Sequence, residues 1–245
     1  MKYFNQFFQS YYFGNIIGNT VRISLMSMVL SFPFPIIFAL LLNELKAMRF
    51  KRLGQMGSYA PHFISTVVMV AMLNVFFGQS FGFVNNIREM LGAERVLYMG
   101  LPQYFRHMYV WSDVWQNTGW NAVIYIAALC AVDPALHEAA TVDGAGRFMR
   151  LWYIDLPCII PTFVILLIMR FGSLINVGFE KVFLMQTDLN LSTSETLATY
   201  AYKLGLEKME YSFSAAVDMF NSVVTFTLLM AVNSVSRRLT ETSLW

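Results

Sequence analysis

The chain has 245 residues, of which 57% are hydrophobic and 13% charged, and its formal net charge is +2. A soluble domain of this length could not bury so much apolar surface, so the composition predicts a polytopic membrane protein. The basic residues lie between apolar blocks rather than along one stripe, which argues against nucleic-acid binding.

The N-terminal segment, residues 1–15, mixes aromatic side chains with Asn and Gln and is too polar to cross a bilayer. Tyr and Phe favour the headgroup level of a membrane, so we predict an interfacial helix here. The rest of the chain, residues 16–245, is predicted to form one transmembrane domain.

Five apolar segments follow that are long enough to cross about 30 Å of hydrocarbon. The first contains Pro33 and Pro35, which predict a kink or break because backbone hydrogen bonds are lost there. The second segment has Pro61 in its first turn, where the missing N–H of proline costs a helix little. We therefore predict an all-α integral membrane protein whose spans cover residues 16–42, 59–77, 109–131, 154–177 and 211–235.

Basic residues beside the spans set the predicted orientation, because Lys and Arg are retained on the cytoplasmic side. The loop after the first span is assigned inside because it carries Lys46, Arg49, Lys51 and Arg52. Alternation then places residues 78–108 and 178–210 outside, and residues 133–153 and the C-terminus inside. An odd number of spans leaves the N-terminus outside. We therefore expect that a first transmembrane helix is missing or that the N-terminal segment lies in the outer interface.

The loop between the third and fourth predicted spans has the pattern of a helix–turn–helix. Asp133-Pro134 combines an N-cap residue with proline at the first helical position. A short helix over residues 135–142 is predicted to end at Gly144 and Gly146, since glycine permits the sharp turn. A second short helix over residues 147–152 is predicted to lead back into the membrane through Leu156-Pro157.

Within this loop, Glu138-Ala139-Ala140 is followed after three residues by Gly144, and after nine more by Ile154-Asp155-Leu156-Pro157. This order and spacing resembles the EAA signature of binding-protein-dependent ABC importer permeases of the MetI-like fold. Residues 18–45 and the ending SRRLTETSLW resemble the LplB-type subfamily, whose substrates are complex polysaccharides and oligosaccharides. The resemblance implies the type I importer fold, with about five spans here against six in relatives, and a cytoplasmic coupling loop at residues 133–157.

The resemblance also implies how the loop works. In such permeases a coupling helix docks into a groove of a cytoplasmic ATPase, so that closure of the ATPase dimer rocks the membrane helices. Glu138 is expected to pair with a basic residue of that groove or to cap a backbone donor, the alternative being an ordinary solvated charge. The coupling residues implied here are Glu138, Ala139, Ala140, Asp143, Gly144 and Ala145.

No glycine loop with a following lysine for phosphate binding occurs in the sequence, so we do not expect this chain to be an enzyme or to bind a cofactor. ATP and Mg²⁺ are expected in the partner ATPase dimer. Further implied partners are a second, distinct permease subunit and an extracytoplasmic solute-binding protein that docks on the outer loops. The implied location is the bacterial plasma membrane, with the C-terminus in the cytoplasm.

The implied cargo is an oligosaccharide derived from a complex polysaccharide. One alternative keeps the importer and changes the solute to a peptide, an amino acid or another small molecule. The other alternative, from a different class, is a membrane channel or scaffold that works without an ATPase. The three histidines, His62, His107 and His137, are too scattered in sequence to predict a metal site.

Polar residues inside the predicted spans are candidates for a substrate path, because in lipid they are costly and usually face a cavity. Arg170 either lines the path, where it meets an acidic sugar or a carboxylate, or forms a structural ion pair. The others either contact sugar or hold helices together, since sugar faces stack on aromatic rings and hydroxyls need polar partners. These other candidates are Asn74, Trp120, Asn121, Tyr125, Asn176, Asn221 and Thr225.

Overall fold

The computed structural model describes residues 2–45, 47–172, 174 and 177–240. Within these ranges the chain is helical, with short connections and no strand. A 3₁₀ turn covers Ala60–Phe63, and π turns cover Leu151–Asp155 and Lys203–Glu207. The α-helices are α1 (Lys2–Phe8), α2 (Phe13–Ser31), α3 (Pro33–Glu44), α4 (Met48–Tyr59), α5 (Thr66–Phe77), α6 (Phe83–Met90), α7 (Pro102–Cys130), α8 (Pro134–Val142), α9 (Arg147–Arg150), α10 (Leu156–Gly172), α11 (Phe179–Met185), α12 (Leu191–Ser194), α13 (Leu197–Tyr202) and α14 (Tyr211–Thr240).

Three helical stretches of the described chain are long and apolar enough to cross a membrane: Phe13–Glu44, Arg147–Gly172 and Tyr211–Arg237. Two bent helix pairs raise the number of candidate spans to five. The pair Met48–Phe63 and Thr66–Phe77 is bent by 101°, and the pair Pro102–Cys130 and Pro134–Val142 by 68°. The prediction of an all-α membrane protein with about five spans is therefore confirmed.

The break predicted in the first span lies at Phe32, between α2 and α3. Pro33 and Pro35 cannot donate backbone hydrogen bonds to the preceding turn, which explains the break. Phe32 itself keeps helical backbone angles, and its N–H still bonds to the carbonyl of Met28 at 3.2 Å. Helices α2 and α3 therefore remain one unit of spanning length.

The span predicted over residues 59–77 is not one continuous helix. The chain is extended at Ile64 and Ser65, and α5 begins only at Thr66, with Ser65 as its N-cap. The amide of Gln116 on α7 donates to the Ile64 carbonyl at 2.8 Å. A broken helix is tolerated inside a membrane protein when a neighbour satisfies the freed backbone groups, and α7 supplies that neighbour.

The helix predicted over residues 147–152 is not separate from the fourth span. Helix α9, the π turn and α10 form one helical stretch, Arg147–Gly172. In the π turn the N–H of Leu156 bonds to the carbonyl of Leu151, five residues earlier. Pro157 has no N–H to donate to the preceding turn, and the wider π turn reduces the clash between its ring and that turn.

Helix α7 is the centre of the bundle and packs against α2, α3, α4, α10 and α12. The N-terminal segment also belongs to the packed structure, because α1 lies against α14. The side chain of Phe7 is fully buried beside Ile16, Leu197 and Phe213. Burial of one such aromatic side chain stabilises the fold by about 1.5–3 kcal/mol.

The two predicted outer loops fold as short helices. Two buried asparagines organise them by satisfying backbone groups of the connections. Asn85 Nδ2 donates to the carbonyls of Gly78 and Val96, both at 2.9 Å, and its Oδ1 accepts from the Val96 N–H at 2.8 Å. Asn190 Nδ2 donates to the Met99 carbonyl at 3.0 Å. The second loop is thereby joined to the segment that leads into α7.

Gly119 marks a close crossing of α7 with α4, and replacing it tests this packing. A Cβ atom on Gly119 would lie 2.2 Å from the backbone oxygen of Ser58. We expect Gly119→Val to destabilise the protein by about 1–3 kcal/mol, because the two helices must separate. Thermal unfolding in detergent measures this loss. The matched control is Gly57→Ala on α4, where an added Cβ meets no atom within 4 Å. Equal melting temperatures for the two variants would contradict the close crossing.

Candidate functional site

Helix α8 is a short exposed helix that follows α7 across a sharp turn, and its start is capped. The carboxylate of Asp133 accepts a hydrogen bond from the Ala135 N–H at 2.9 Å, and Pro134 occupies the first helical position. Both features are those predicted from the sequence. A capped start stabilises a helix by about 1 kcal/mol, which matters for a helix of nine residues.

The end of α8 is closed by a Schellman motif around Gly144. The N–H of Gly144 bonds to the Thr141 carbonyl at 3.1 Å, and the N–H of Ala145 bonds to the Ala140 carbonyl at 2.8 Å. Gly144 has a φ of +79°, in the left-handed region that side chains disfavour. The predicted glycine turn is therefore present, and its residue type has a clear physical reason.

The residues implied to couple to an ATPase all lie on α8 and its C-terminal turn. Glu138, Ala139, Asp143 and Gly144 are exposed, whereas Ala140 and Ala145 are half-buried. The helix thus presents one charged side chain beside an alanine of minimal bulk. A partner surface can approach such a helix closely.

A buried carboxylate links α8 to the base of the fourth span. Asp155 is 1% exposed, and its Oδ1 lies 3.3 Å from Nε2 of His137 on α8. This contact is an ion pair when the imidazole is protonated, and within the described ranges Oδ1 accepts no well-directed hydrogen bond. A second link joins Arg150 Nη1 to Thr141 Oγ1 at 2.9 Å. Displacement of α8 therefore acts on the stretch Arg147–Gly172 at two points.

A cavity of about 930 Å³ lies between the α2–α3 junction, α7 and α10; we call it the central cavity. Four predicted path residues line it: Trp120, Asn121, Tyr125 and Arg170. The wall combines aromatic rings with amide and charged groups. Such a lining suits a ligand that has both apolar faces and hydroxyl groups.

Trp120 presents a ring whose orientation is fixed by its neighbours. The His62 ring stacks on it with centroids 4.7 Å apart and planes 2° apart, and Phe63 packs edge-on at 5.7 Å. His62 Nδ1 in turn lies 2.9 Å from Oδ1 of Asn117. The indole is nevertheless 45% exposed, so one of its surfaces remains available to a ligand.

Asp113 and Asn117 also line the central cavity, although neither is among the residues predicted from the sequence. Asn117 Nδ2 donates to Asp113 Oδ1 at 2.8 Å, which orients both side chains. The sequence signal was a four-residue repeat, which places side chains on one face of a helix. The repeat on α7 consists of Tyr109, Asp113, Asn117, Asn121 and Tyr125.

A second, smaller cavity of about 210 Å³ adjoins the central cavity and shares Asp113 and Arg170 with it. We call it the serine cavity, because Ser24 and Ser27 of α2 lie in its wall opposite Tyr109 of α7. Both serines are buried, and their hydroxyl groups have no hydrogen-bond partner in the part of the chain that the structure describes. Neither serine is among the residues predicted from the sequence.

The remaining predicted path residues lie elsewhere. Asn74 is exposed on α5, and Asn221 and Thr225 lie one turn apart on α14; none of the three lines either cavity. Asn176 lies outside the described residues. A role for these four residues in a substrate path stays a prediction.

Comparison with known proteins gives consistent matches. Residues 31–241 match the family described as binding-protein-dependent transport system inner membrane component. Protein LplB of Bacillus subtilis (strain 168) is 39% identical over 243 residues, which is 99% of this chain and 76% of that protein. The polygalacturonan/rhamnogalacturonan transport system permease protein YteP of the same strain is 35% identical over 245 residues, or 100% of this chain and 76% of that protein.

A solved structure has the same fold. It is a chain of a bacterial ABC transporter involved in the import of the acidic polysaccharide alginate, and it superposes with a TM-score of 0.95 at 37% sequence identity. The match covers 98% of this chain and 84% of that chain. The predicted type I importer fold is therefore confirmed.

The contact between His137 and Asp155 can be tested through the dynamics of α8. We expect Asp155→Ala to increase hydrogen exchange of the amides that close α8 by about fivefold, because loss of the contact removes about 1 kcal/mol of local stability. Exchange at Gly144 and Ala145, followed by mass spectrometry in detergent, measures the effect. Asp218→Ala on α14 is the control and should leave this exchange unchanged. Equal rates in both variants would show that Asp155 does not hold α8.

Proposed function

The chain belongs to the family of inner membrane components of binding-protein-dependent transport systems, and we propose that it is a permease subunit of an ATP-driven importer of oligosaccharides derived from complex polysaccharides. Subunits of this family are permeases and not themselves catalytic. The proposal is carried by the structure of helix α8. It is an exposed, doubly capped helix that bears Glu138-Ala139-Ala140 and is attached to the span that lines the cavities.

In the proposed mechanism α8 docks into a groove of a cytoplasmic ATPase. That ATPase, and not this chain, binds ATP and Mg²⁺. The small Ala139 side chain permits close approach, and Glu138 offers a charge to a basic residue of the groove. Movement of α8 then reaches α10 through His137–Asp155 and Arg150–Thr141. Because α10 carries Arg170 into the central cavity, ATPase closure is transmitted to the substrate path.

The cargo is proposed from the lining of the central cavity and from the relatives. An exposed, oriented Trp120 supplies a surface for stacking on a sugar ring, and Asn117 and Asn121 supply donors and acceptors for hydroxyl groups. The names of the relatives refer to polygalacturonan, rhamnogalacturonan and alginate, which favours a glycan over a peptide or an amino acid. Alternating exposure of this cavity to the two sides of the membrane would move the glycan inward.

The protein is an inner membrane component with several spanning helices. Beyond this, we propose that α8 and the C-terminus face the cytoplasm, as the basic residues beside the spans indicate. We further propose an ATPase dimer, a second related permease subunit and an extracytoplasmic binding protein as partners. The alginate transporter supports the proposed binding protein, because it was crystallised in complex with an alginate pentasaccharide-bound periplasmic protein.

Charge reversal at Glu138 tests the coupling assignment. We expect Glu138→Lys to reduce glycan-stimulated ATP hydrolysis by the assembled importer by about tenfold, because a charge-assisted contact becomes a repulsion. ATPase activity in proteoliposomes, with and without loaded binding protein, measures the stimulation. The control is Arg52→Glu, an equal charge reversal at an exposed position on α4. Stimulation that is unchanged in Glu138→Lys would remove this residue from the coupling surface.

A pair of tryptophans on α7 tests the substrate path. We expect Trp120→Ala to raise the apparent KM for oligosaccharide uptake about threefold to tenfold, because a stacking surface is lost. Trp111 is a matched control, since it is similarly exposed but lines a separate, apolar cleft with Met108 and Phe76. Uptake kinetics should be unchanged in Trp111→Ala. An equal effect of both substitutions would indicate general damage to α7 rather than loss of a sugar contact.

A further inference from the structure

Helix α6 (Phe83–Met90) carries an apolar face to which the proposed mechanism assigns no role. Phe83, Ile87 and Met90 recur at intervals of four and three residues, which places their side chains on one side of the helix. All three are exposed, Met90 to 86%, and Leu91 directly after the helix is exposed as well. Single exposed apolar residues are common in proteins, whereas several that adjoin one another mark an interaction surface.

Asn85 fixes the opposite side of α6 to the rest of the protein. At about 100° per residue it lies roughly 160° from Phe83 around the helix axis. Its side chain is fully buried and bonds to backbone groups of Gly78 and Val96. Helix α6 therefore cannot turn its apolar face inward without breaking these hydrogen bonds. Within the described part of the chain this face stays uncovered.

The apolar face continues the uncovered surface of the candidate span before it. Val75 and Phe76, in the last turn of α5, are exposed. The ring of Phe76 packs against that of Phe83, with centroids 6.2 Å apart and planes at 82°. Phe81, in the turn between the two helices, is 91% exposed. Apolar side chains of a span that no helix covers meet lipid, so a lipid-facing surface extends from α5 around the turn onto α6.

Polar side chains flank the apolar face on both sides. On one side Arg95 donates to Asn86 Oδ1 at 3.0 Å and to Glu89 Oε2 at 2.6 Å. On the other side Arg88 Nε donates to the Glu94 carbonyl at 3.1 Å, and Arg88 forms no ion pair within the described ranges. Its terminal N–H groups can reach lipid phosphates while the rest of the side chain follows the helix surface. An apolar face with polar flanks is typical of helices that lie in a membrane surface.

A protein partner requires a different kind of surface from a bilayer. Protein interfaces contain about one hydrogen bond per 100–200 Å² among their apolar contacts. The face formed by Phe83, Ile87, Met90 and Leu91 offers no polar side chain for such bonds, whereas hydrocarbon requires none. A soluble partner would also leave this face in water each time it dissociated, which exposes apolar surface at a cost in free energy. These observations favour lipid over a protein.

We propose that α6 is an interfacial helix whose apolar face, together with Phe81, lies among the acyl chains of membrane phospholipids. In the proposed orientation these lipids belong to the outer leaflet. Helix α5 rises only about 18 Å over its twelve residues, so it cannot fix its own position in a hydrocarbon core of about 30 Å. Anchoring of α6 at the membrane surface sets the depth at which α5 ends. The inference goes beyond the proposed function, because it assigns a lipid partner and holds whichever solute is carried.

Spin labels on single cysteines test the proposal in the complete importer, reconstituted into vesicles of phosphatidylethanolamine and phosphatidylglycerol. Cys130→Ser and Cys158→Ser first remove the two native thiols, both of which are exposed. Labels are then attached to Ile87→Cys, to Met90→Cys and, as the control, to Glu89→Cys. Glu89 is the neighbour of Met90 in the chain and is also exposed, but it lies on a polar flank of α6.

Two relaxation agents report what surrounds each label, since molecular oxygen concentrates in lipid and a nickel chelate stays in water. We expect the ratio of oxygen to nickel collisions to be about tenfold higher at Ile87 and Met90 than at Glu89, because the apolar face lies about 5–10 Å into the boundary between headgroups and acyl chains. Addition of glycan-loaded binding protein should leave this ratio unchanged. The substituted side chains are exposed, so the variants should fold, and size-exclusion chromatography checks that each complex is assembled.

Other collision patterns would overturn the interfacial helix. Equal collision ratios at Met90 and Glu89 would place the apolar face in water. Few collisions with either agent at Ile87 and Met90 would mean that a protein, such as the second permease subunit, covers the face. Loss of oxygen collisions only after binding protein is added would make α6 a docking surface for that protein. The importer assignment is tested separately, by oligosaccharide uptake in the unlabelled wild type.

Discussion

Every polar group that α7 carries into the bundle needs a partner or water, because the surrounding bilayer offers neither. This requirement explains why one helix both supports the fold and lines both cavities. Gln116 completes the hydrogen bonds of the broken second span, and Asn117 is positioned between His62 and Asp113. Asn117, Asn121 and Asp113 also border the central cavity, so this face of α7 lies beside space that water or a ligand can enter. The polar face of α7 and the cavities therefore depend on each other.

Helix α8 and the cavities are connected by one helical stretch, Arg147–Gly172. Asp155 lies at the base of α10, where it contacts α8, and Arg170 lies fifteen residues later on the same helix. At 1.5 Å per residue the two positions are about 22 Å apart along the axis. Between these positions the stretch contains the end of the π turn and Pro161, where an α-helix can bend. In the proposed mechanism, one end of this stretch responds to the ATPase and the other end borders the substrate.

The features that could be predicted are those that local chemistry determines. Hydropathy located the apolar segments, and the residue types at Asp133 and Gly144 predicted both ends of α8. The break at Ile64 could not be predicted, because its stabilising hydrogen bond comes from Gln116, 52 residues away in the chain. Asp113 was missed for a related reason. Its place in a polar network depends on the four-residue repeat around it on α7 and on Ser31 of α2, which is 82 residues away in the chain.

The short length of α5 has a consequence for how the protein is made. Twelve residues of helix rise about 18 Å, well short of the roughly 30 Å hydrocarbon core, so α5 cannot settle across the bilayer as an independent segment. The residues that receive it on α7 are synthesised later. The hydrogen bond from Gln116 to the Ile64 carbonyl, which stabilises the bend before α5, therefore cannot form until α7 has been synthesised.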